Sequence, residues 1–304
     1  MEEEAHRRGV LLERVGYDDR NSRPRFYLGR QEYAFWPEHR QVLLGAVCVL
    51  WHMKSGSVFL NHMAHVGIPL AVWVDHAAGY SDQNWPCVRY FDLGYGEDPG
   101  VLVASEIARR GYRSCVYISP FHGSLWSLER WRGLQRRALE LGLRIECCVS
   151  DVLRSSWSVR DILEQDTNWN KKRHEWLESC PAGDLPFRRE QFYALYSEAA
   201  CDAELYEYCV PLFESACIKR SDVWVLCNDR VAVLAAEYLR RKGLEAPVLV
   251  GYDNSAEAGR AGISSFEFDT TGLARAMLDY LLNPRHNLYR SRELIRLQGF
   301  LVWR

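Results

Sequence analysis

The chain has 304 residues, a mass of 35.3 kDa and a formal net charge of −2, from 38 basic and 40 acidic residues. Hydrophobic residues make up 48% of it and charged residues 26%, a composition typical of soluble globular proteins and unlike that of disordered or collagen-like chains. A chain of this length buries enough surface to fold without disulfides or metal ions. The balanced charge argues against a dedicated nucleic-acid-binding module, which carries a basic surplus.

The first ten residues, MEEEAHRRGV, are acidic and polar and do not have the composition of a signal peptide. No apolar run approaches the roughly 18–20 residues that a membrane-spanning helix needs. The ten cysteines form no C-x-x-C pair, and several, such as Cys48 and Cys115, lie inside apolar runs, which indicates free thiols. We therefore expect a cytoplasmic protein without membrane association, bound metal or cofactor.

Short apolar, β-branched runs alternate with amphipathic ones along most of the chain. The amphipathic patterns at 100–110, 127–142 and 229–243 predict helices that end at glycines, as in a helix C-cap. Many of the apolar runs are nearly continuous, which is typical of strands covered on both faces of a parallel sheet. We predict strands at residues 10–15, 45–51, 69–75, 87–92, 114–119, 144–151, 222–229, 246–253 and 263–269.

Repeated strand–helix units with right-handed crossovers predict a doubly wound α/β fold. The segment 152–221 interrupts the alternation, because it is rich in Trp, Glu, Arg and Tyr and contains three prolines. We expect it to be mostly helical, including roughly residues 187–216. It is interpreted either as an inserted helical excursion or as a partner surface.

Polar residues follow one predicted strand after another. In open parallel α/β sheets, ligands bind at the carboxyl ends of the strands, so these side chains are candidates for hydrogen bonds to a polyhydroxy ligand. The alternative is that each one caps the helix that follows it. The residues are Asp75, Asp92, Ser119, Asp151, Asn228, Asp229, Asp253 and Asp269.

Known catalytic motifs are absent from the sequence. The segment GYGEDPG has Pro99 where a dinucleotide-binding fingerprint needs its third glycine, and the sequence contains no GxxxxGK[ST], GxSxG or HExxH. A row of carboxylates without these motifs indicates recognition rather than turnover. A pair of carboxylates working as in a glycosidase stays open as an alternative.

The motifs follow one another in a characteristic order: GIPLAVWVD, YFD, RRGYRSCVYIS, SLERWRGL, SDVWVLCNDRVAVLAAEYLRRKG, APVLVGYDN and ISSFEFDTTGLARAMLDYLL. This order resembles the effector-binding domain of the LacI/GalR family of transcriptional regulators, which has the periplasmic-binding-protein type I fold. The resemblance covers most of the chain except residues 152–221 and the first forty.

The resemblance implies two doubly wound parallel-sheet lobes with a ligand cleft between them. The N-terminal lobe is expected at 1–90 plus 270–292, and the C-terminal lobe at 91–269 plus 293–304, with a helical insertion around 152–221. MEEEAHRRGVLLERV is similar to the family's first helix and second strand. The first strand of the N-terminal lobe is therefore expected to be missing. We expect either an N-terminally incomplete chain or a regulator whose DNA-binding module lay upstream.

The resemblance also implies roles for individual residues. Ser127, Arg130 and Gly133 match an S-x-x-R-x-x-G motif, whose arginine grips sugar hydroxyls or carboxylates in the family; the alternative is an ordinary surface arginine. Ser127 is expected to contact the ligand, Asn228 to face it, and Asp253 to accept hydrogen bonds from it.

Two further positions lie at the expected crossovers between the lobes. Asp92 matches the aspartate of the first crossover. Phe268 stands where the family often has a glutamine before the aspartate of the last crossover, so it is expected to offer an aromatic stacking face to a sugar ring. Asp75, at the end of its strand, completes the set of expected ligand contacts.

The function that the resemblance implies is that of the sensor domain of a cytosolic, sugar-responsive transcriptional regulator, and not of an enzyme. Such a domain binds a small effector, acts as a homodimer, and reaches DNA only through a module that this sequence does not contain. Two alternatives remain: a carbohydrate receptor of a transporter, and a carbohydrate-active α/β enzyme.

Overall fold

The computed structural model describes residues 1–12, 16–18, 25–28, 31–33, 44–50, 67–74, 86–150, 186–290 and 294–304. Two compact units divide the chain: unit 1 comprises residues 1–95 and 268–300, and unit 2 comprises residues 96–267 and 301–304. From the sequence, we expected the chain to pass between the two lobes after residues 90, 269 and 292. Asp92 and Phe268 therefore belong to unit 1, whereas the sequence assigned them to the C-terminal lobe.

Unit 1 begins with a short helix, α1 (Glu2–Arg7), followed by a small antiparallel sheet of three strands, β1 (Gly16–Asp18), β2 (Arg25–Leu28) and β3 (Gln31–Tyr33). The strand predicted at 10–15 is wrong for residues 10–12, which lie in no strand, and its remaining residues lie outside the described part. The sequence signal failed here because the apolar run is short and has no alternation to distinguish strand from coil.

The main sheet of unit 1 is parallel. Its strands are β4 (Ala46–Leu50), β5 (Leu70–Val74) and β6 (Val88–Asp92), and β12 (Leu294–Arg296) returns to pair with β6, in the order β12-β6-β5-β4. Helix α7 (Thr270–Leu282) packs on β5 and β6. The continuous burial of β6 is what the apolar run predicted for a strand covered on both faces.

Unit 2 contains a six-stranded sheet in the order β13-β11-β10-β9-β7-β8. The strands from β7 to β11 pair in parallel, which confirms the predicted parallel α/β architecture. The strands are β7 (Ser114–Ser119), β8 (Arg144–Val149), β9 (Val223–Leu226), β10 (Val248–Tyr252), β11 (Ser264–Glu267) and β13 (Phe300–Val302). The helices of unit 2 are α2 (Asp98–Arg109), α3 (Leu125–Glu140), α4 (Pro186–Lys219), α5 (Asp229–Lys242) and α6 (Ala256–Arg260). The last helix of the chain, α8 (Asn287–Arg290), belongs to unit 1.

Three glycines end the helices as predicted. Gly111, Gly142 and Gly243 follow α2, α3 and α5 with φ angles of 84°, 70° and 63°. This left-handed conformation is costly for residues with a Cβ, and it lets the last helical carbonyls find hydrogen-bond partners. The glycines therefore set where each helix stops and the chain turns toward the next strand.

Helix α4 confirms the helix predicted at roughly 187–216, but its place in the fold differs from the expectation. Four fully buried side chains recur at helical spacing along its second half: Leu205, Cys209, Phe213 and Ala216. The Phe213 ring lies 6.2 Å from that of Trp224 on β9. This half of α4 is therefore a crossover helix that covers the sheet, and not an excursion; residues 152–185 lie outside the described part.

The described cysteines are free thiols, as the sequence indicated: 48, 87, 115, 147, 148, 209, 217 and 227. Cys147 is exposed and its neighbour Cys148 is buried, so the two side chains point to opposite faces of β8, as predicted. Among the described residues, no helix is long and apolar enough to cross a membrane.

Helices α2 and α3 cross at very close range, through a glycine on each. A Cβ at Gly133 would collide with the backbone of Glu97, and one at Gly100 with the backbone carbonyl of Arg130. Neither obstacle is a flexible side chain that could move aside. This contact therefore fixes the position of α3, the helix that carries Ser127 and Arg130.

We expect Gly133→Ala to lower the free energy of unfolding by about 1–3 kcal/mol, because the added methyl forces the two helices apart. The measurement is urea denaturation followed by circular dichroism. Gly96→Ala is the matched control, since a Cβ there meets only one atom, Glu129 Oε2 at 3.8 Å. Equal stability of the two variants would contradict the close helix crossing.

Candidate functional site

The carboxyl ends of three neighbouring strands bring the candidate polar groups together. Strand β7 ends at Ser119, β9 ends just before Cys227 and Asn228, and β10 ends just before Asp253. Because β7, β9 and β10 are parallel neighbours, these residues share one edge of the sheet. This carboxyl edge of unit 2 is the place where open α/β sheets bind ligands.

Arg130 reaches this edge from helix α3 and is not a surface arginine. Its side chain is only 6% exposed, and its Nη1 donates a hydrogen bond of 2.6 Å to the carbonyl oxygen of Cys227. The guanidinium lies 4.8 Å from the ring centre of Trp126 and 4.7 Å from that of Tyr252. Two aromatic rings and a carbonyl therefore stabilise the buried charge.

Asp253 provides the opposite charge. Its Oδ1 lies 3.8 Å from Arg130 Nη2, and its side chain is 51% exposed. The residue has φ 100°, a conformation that few non-glycine residues adopt. Hydrogen bonds from Asp253 N to Phe266 O and from Asn254 N to Ser265 Oγ, both 2.9 Å, hold the strained turn in place. Strain of this kind concentrates at functional sites.

The protein around Asp253 changes its proton affinity. Loss of hydration raises the pKa of the carboxyl above its usual value, Arg130 lowers it, and the negative charges of Asp229 and Glu267 raise it again. The half-exposed side chain keeps some of its water, which limits the size of the rise. Asp253 therefore protonates at a higher pH than an ordinary aspartate.

A buried cluster of hydroxyls anchors the start of α3. Ser127 Oγ is 2.8 Å from Ser119 Oγ and 3.0 Å from Tyr117 Oη. It also lies 3.3 Å from Nδ1 of His122, a partly exposed residue that the sequence analysis did not select. Ser127 itself has no exposed surface, so its hydroxyl is used inside the protein to position the helix, and it is not accessible as a nucleophile.

Asn228 caps the helix that follows it, whereas Asp229 is hydrogen-bonded to Ser255 and Ser265; ligand contact by Asn228 stays a prediction. Asn228 Oδ1 accepts a 2.9 Å hydrogen bond from Val231 N at the start of α5. Asp229 is buried and accepts from Ser265 Oγ and from Ser255 N, each at 2.6 Å. A Cβ at Gly251 would collide with this carboxylate, which explains why glycine occupies that position.

Two residues of unit 1 that were expected to contact a ligand, Asp92 and Phe268, are buried and have partners within that unit. Asp92 is buried; its Oδ1 accepts from Gly94 N at 2.7 Å and its Oδ2 from Arg296 Nε at 3.0 Å. Phe268 is buried with its ring centre 4.6 Å from that of Tyr95. Asp75 and Asp151 lie outside the described residues. Ligand contact by Asp92, Phe268 and Asp75 stays a prediction.

No protein-family model and no curated protein sequence matches the chain, but solved structures do. A regulatory protein of the LacI family from Chloroflexus aggregans matches with 15% identity over 88% of this chain and 78% of that one, with a TM-score of 0.51. A LacI transcriptional regulator from a Rhodococcus species matches with 16% identity over 88% and 80%, with a TM-score of 0.47.

A third match is a periplasmic binding protein/LacI transcriptional regulator from Alkaliphilus metalliredigens, complexed with D-xylulofuranose. It is 14% identical over 88% of this chain and 77% of that chain, with a TM-score of 0.46. At these identities the similarity to the Chloroflexus protein shows the fold. The chain has the periplasmic-binding-protein-like α/β fold that the sequence predicted.

Replacing Ser127 by Ala tests the hydroxyl cluster. Buried Tyr117 and Ser119 hydroxyls would lose a partner, so we expect the free energy of unfolding to fall by about 1–3 kcal/mol. Ser105→Ala, in helix α2, is the control: Ser105 is partly exposed, so water can replace the bonds of its hydroxyl to the Val101 carbonyl and Arg137 Nε. Urea denaturation compares the two variants, and a neutral Ser127→Ala would show that the cluster does not stabilise α3.

Proposed function

We propose that this chain is the effector-sensing domain of a cytoplasmic transcriptional regulator, in which a small ligand, a sugar, binds at the Arg130–Asp253 edge of unit 2. The domain acts as a homodimer and modulates DNA binding by a separate module. The observation that carries the proposal is the buried Arg130 beside the half-exposed Asp253 at the carboxyl edge of a parallel sheet, where this class of fold binds ligands.

The chemistry of this edge suits a polyhydroxy ligand. A carboxylate accepts hydrogen bonds from hydroxyl groups, and each hydroxyl also has lone pairs that can accept from a neighbouring donor. Charged partners make such hydrogen bonds roughly twice as strong as neutral ones. The aromatic ring of Trp126, which is partly exposed beside Arg130, adds an apolar surface of the kind that ligand sites combine with a few polar groups.

Two observations support regulation rather than catalysis. The protein from Chloroflexus aggregans, which shares this fold, is a regulatory protein. At the edge itself, Ser127 Oγ lies 3.3 Å from His122 Nδ1, and Ser127 has no exposed surface through which a substrate could reach it. A ligand that binds one conformation of such a domain better than another shifts the population between them, which is how binding can alter the activity of a separate module.

The first test of the proposal is removal of the charged pair. A panel of hexoses, pentoses and their amino derivatives is screened by thermal shift, and calorimetry then measures the affinity of the best sugar. We expect Arg130→Ala to weaken its binding by on the order of 1.5–3 kcal/mol, because the variant loses the charge-assisted contacts through which Arg130 holds Asp253 and the end of β9 in place. Asp253→Asn gives the same test with less risk to folding, because the position is half-exposed and asparagine tolerates the positive φ found there.

Arg132→Ala is the matched control, because Arg132 is exposed on the same helix. It is expected to bind like the wild type. If Arg130→Ala and Asp253→Asn are folded and bind the sugar with unchanged affinity, the ligand site is elsewhere. If no sugar of the panel binds the wild-type protein, the proposed sugar-sensing function is wrong.

The raised pKa of Asp253 predicts a pH dependence. The ionised carboxylate accepts hydrogen bonds from the ligand, so binding is complete above the pKa and is lost as the pH falls through it. We expect affinity to weaken between about pH 7 and about pH 5, above the range in which an ordinary aspartate, with a pKa of about 3.9, protonates. Calorimetry on wild type and Asp253→Asn checks this; the variant should show a flat profile, and a flat wild-type profile would contradict the assignment.

A further inference from the structure

The charge that the candidate site offers to a ligand is negative. The guanidinium of Arg130 and the carboxylate of Asp253 lie side by side, but the Arg130 side chain is 6% exposed and the Asp253 side chain is 51% exposed. A ligand arriving from solvent therefore meets mainly the carboxylate. The resemblance implied the opposite order of importance, with the arginine gripping the ligand.

The reason for this asymmetry is that the protein itself engages Arg130. Its Nη1 donates to the Cys227 carbonyl at 2.6 Å. The rings of Trp126 and Tyr252 lie within 4.8 Å of the guanidinium carbon. In this arrangement Arg130 holds Asp253 and the end of β9 in place, and its positive charge is largely compensated before a ligand binds.

Further carboxylates lie close to Asp253. Glu267 Oε2 accepts a 3.0 Å hydrogen bond from Asn254 Nδ2, in the residue after Asp253. Asp229 accepts from Ser255 N, two residues after Asp253. The one further cation in these contacts, Arg304, donates to Asn254 Oδ1 at 2.5 Å and to the Ile263 carbonyl at 2.7 Å. The described groups around the exposed carboxylate thus carry more negative than positive charge.

We infer that this site selects a sugar that carries a primary amine over its neutral parent, and rejects the corresponding acidic sugar. The inference rests on the proposed function and names the ligand class of the same site. An ammonium group donates three hydrogen bonds and carries a positive charge, so it pairs with Asp253 more strongly than a hydroxyl does. A sugar carboxylate or phosphate would approach like charges, with Arg130 buried behind them.

Calorimetry with matched sugars tests the inference. The glucose, galactose and mannose series are each measured as the parent hexose, the 2-amino-2-deoxyhexose and the uronic acid, at neutral pH with constant ionic strength. In the series that binds, the amino sugar should bind on the order of tenfold more tightly than the parent, because a charge-assisted pair replaces a neutral hydrogen bond. The uronic acid should show no measurable binding.

Two variants test whether the charge of Asp253 causes the preference for the amino sugar. Asp253→Asn removes the charge but keeps the size of the side chain, and asparagine tolerates the left-handed backbone found there. It should abolish the preference for the amino sugar over the parent. Glu257→Gln is the control: Glu257 lies nearby on α6 with its side chain 63% exposed and paired with Arg260, so its loss should leave the preference unchanged.

The outcomes separate this inference from the proposed function. Tighter binding of a uronic acid, or equal binding of the amino sugar and the parent, overturns the amine preference while sugar sensing stands. An amine preference that survives in Asp253→Asn also overturns it, because the charge then comes from another residue. Failure of every sugar to bind overturns the proposed function, and the inference falls with it.

Discussion

A guanidinium can be buried only where the protein compensates its charge and its donors, since an isolated charge in the interior is very unfavourable. Arg130 meets this condition through the Cys227 carbonyl, the carboxylate of Asp253 and the faces of two aromatic rings. These partners come from the ends of two neighbouring strands and from helix α3. The compensation of one charge therefore ties together the elements that form the carboxyl edge of unit 2.

The side chain of Arg130 must also start from the right place, and the backbone of α3 provides that. Gly133 and Gly100 let α2 and α3 approach until their backbones are in contact, while Ser127 fastens the first turn of α3 to β7 through Ser119 and Tyr117. Ser127, Arg130 and Gly133 are spaced by three residues and lie on one side of the helix. The S-x-x-R-x-x-G motif is therefore a packing motif in this fold, whereas ligand binding by its arginine stays a proposal.

The sequence predicted much of the fold because its signals there were local. Apolar runs such as 114–119 and helix-ending glycines such as Gly243 depend on few neighbours, and both predictions are confirmed. The packing of α4 on the sheet could not be predicted, because it depends on residues that are distant in sequence. The side chains that α4 buries there are Leu205, Cys209, Phe213 and Ala216. The sequence placed Ser119, Asn228 and Asp253 at strand ends, and they do share one edge of the sheet, but the pattern alone could not show which of them the protein uses internally.

The strand-end residues differ in how many hydrogen bonds each of them already makes inside the protein. Asn228 and Asp229 occupy the same edge as Asp253, yet their oxygens accept from backbone and serine donors of unit 2. Asp253 instead projects a half-exposed carboxylate from a strained turn that other residues hold in place. Asn228, Asp229 and Arg130 thus support the turn that carries Asp253, and we propose that its half-exposed carboxylate determines the chemistry that a ligand meets.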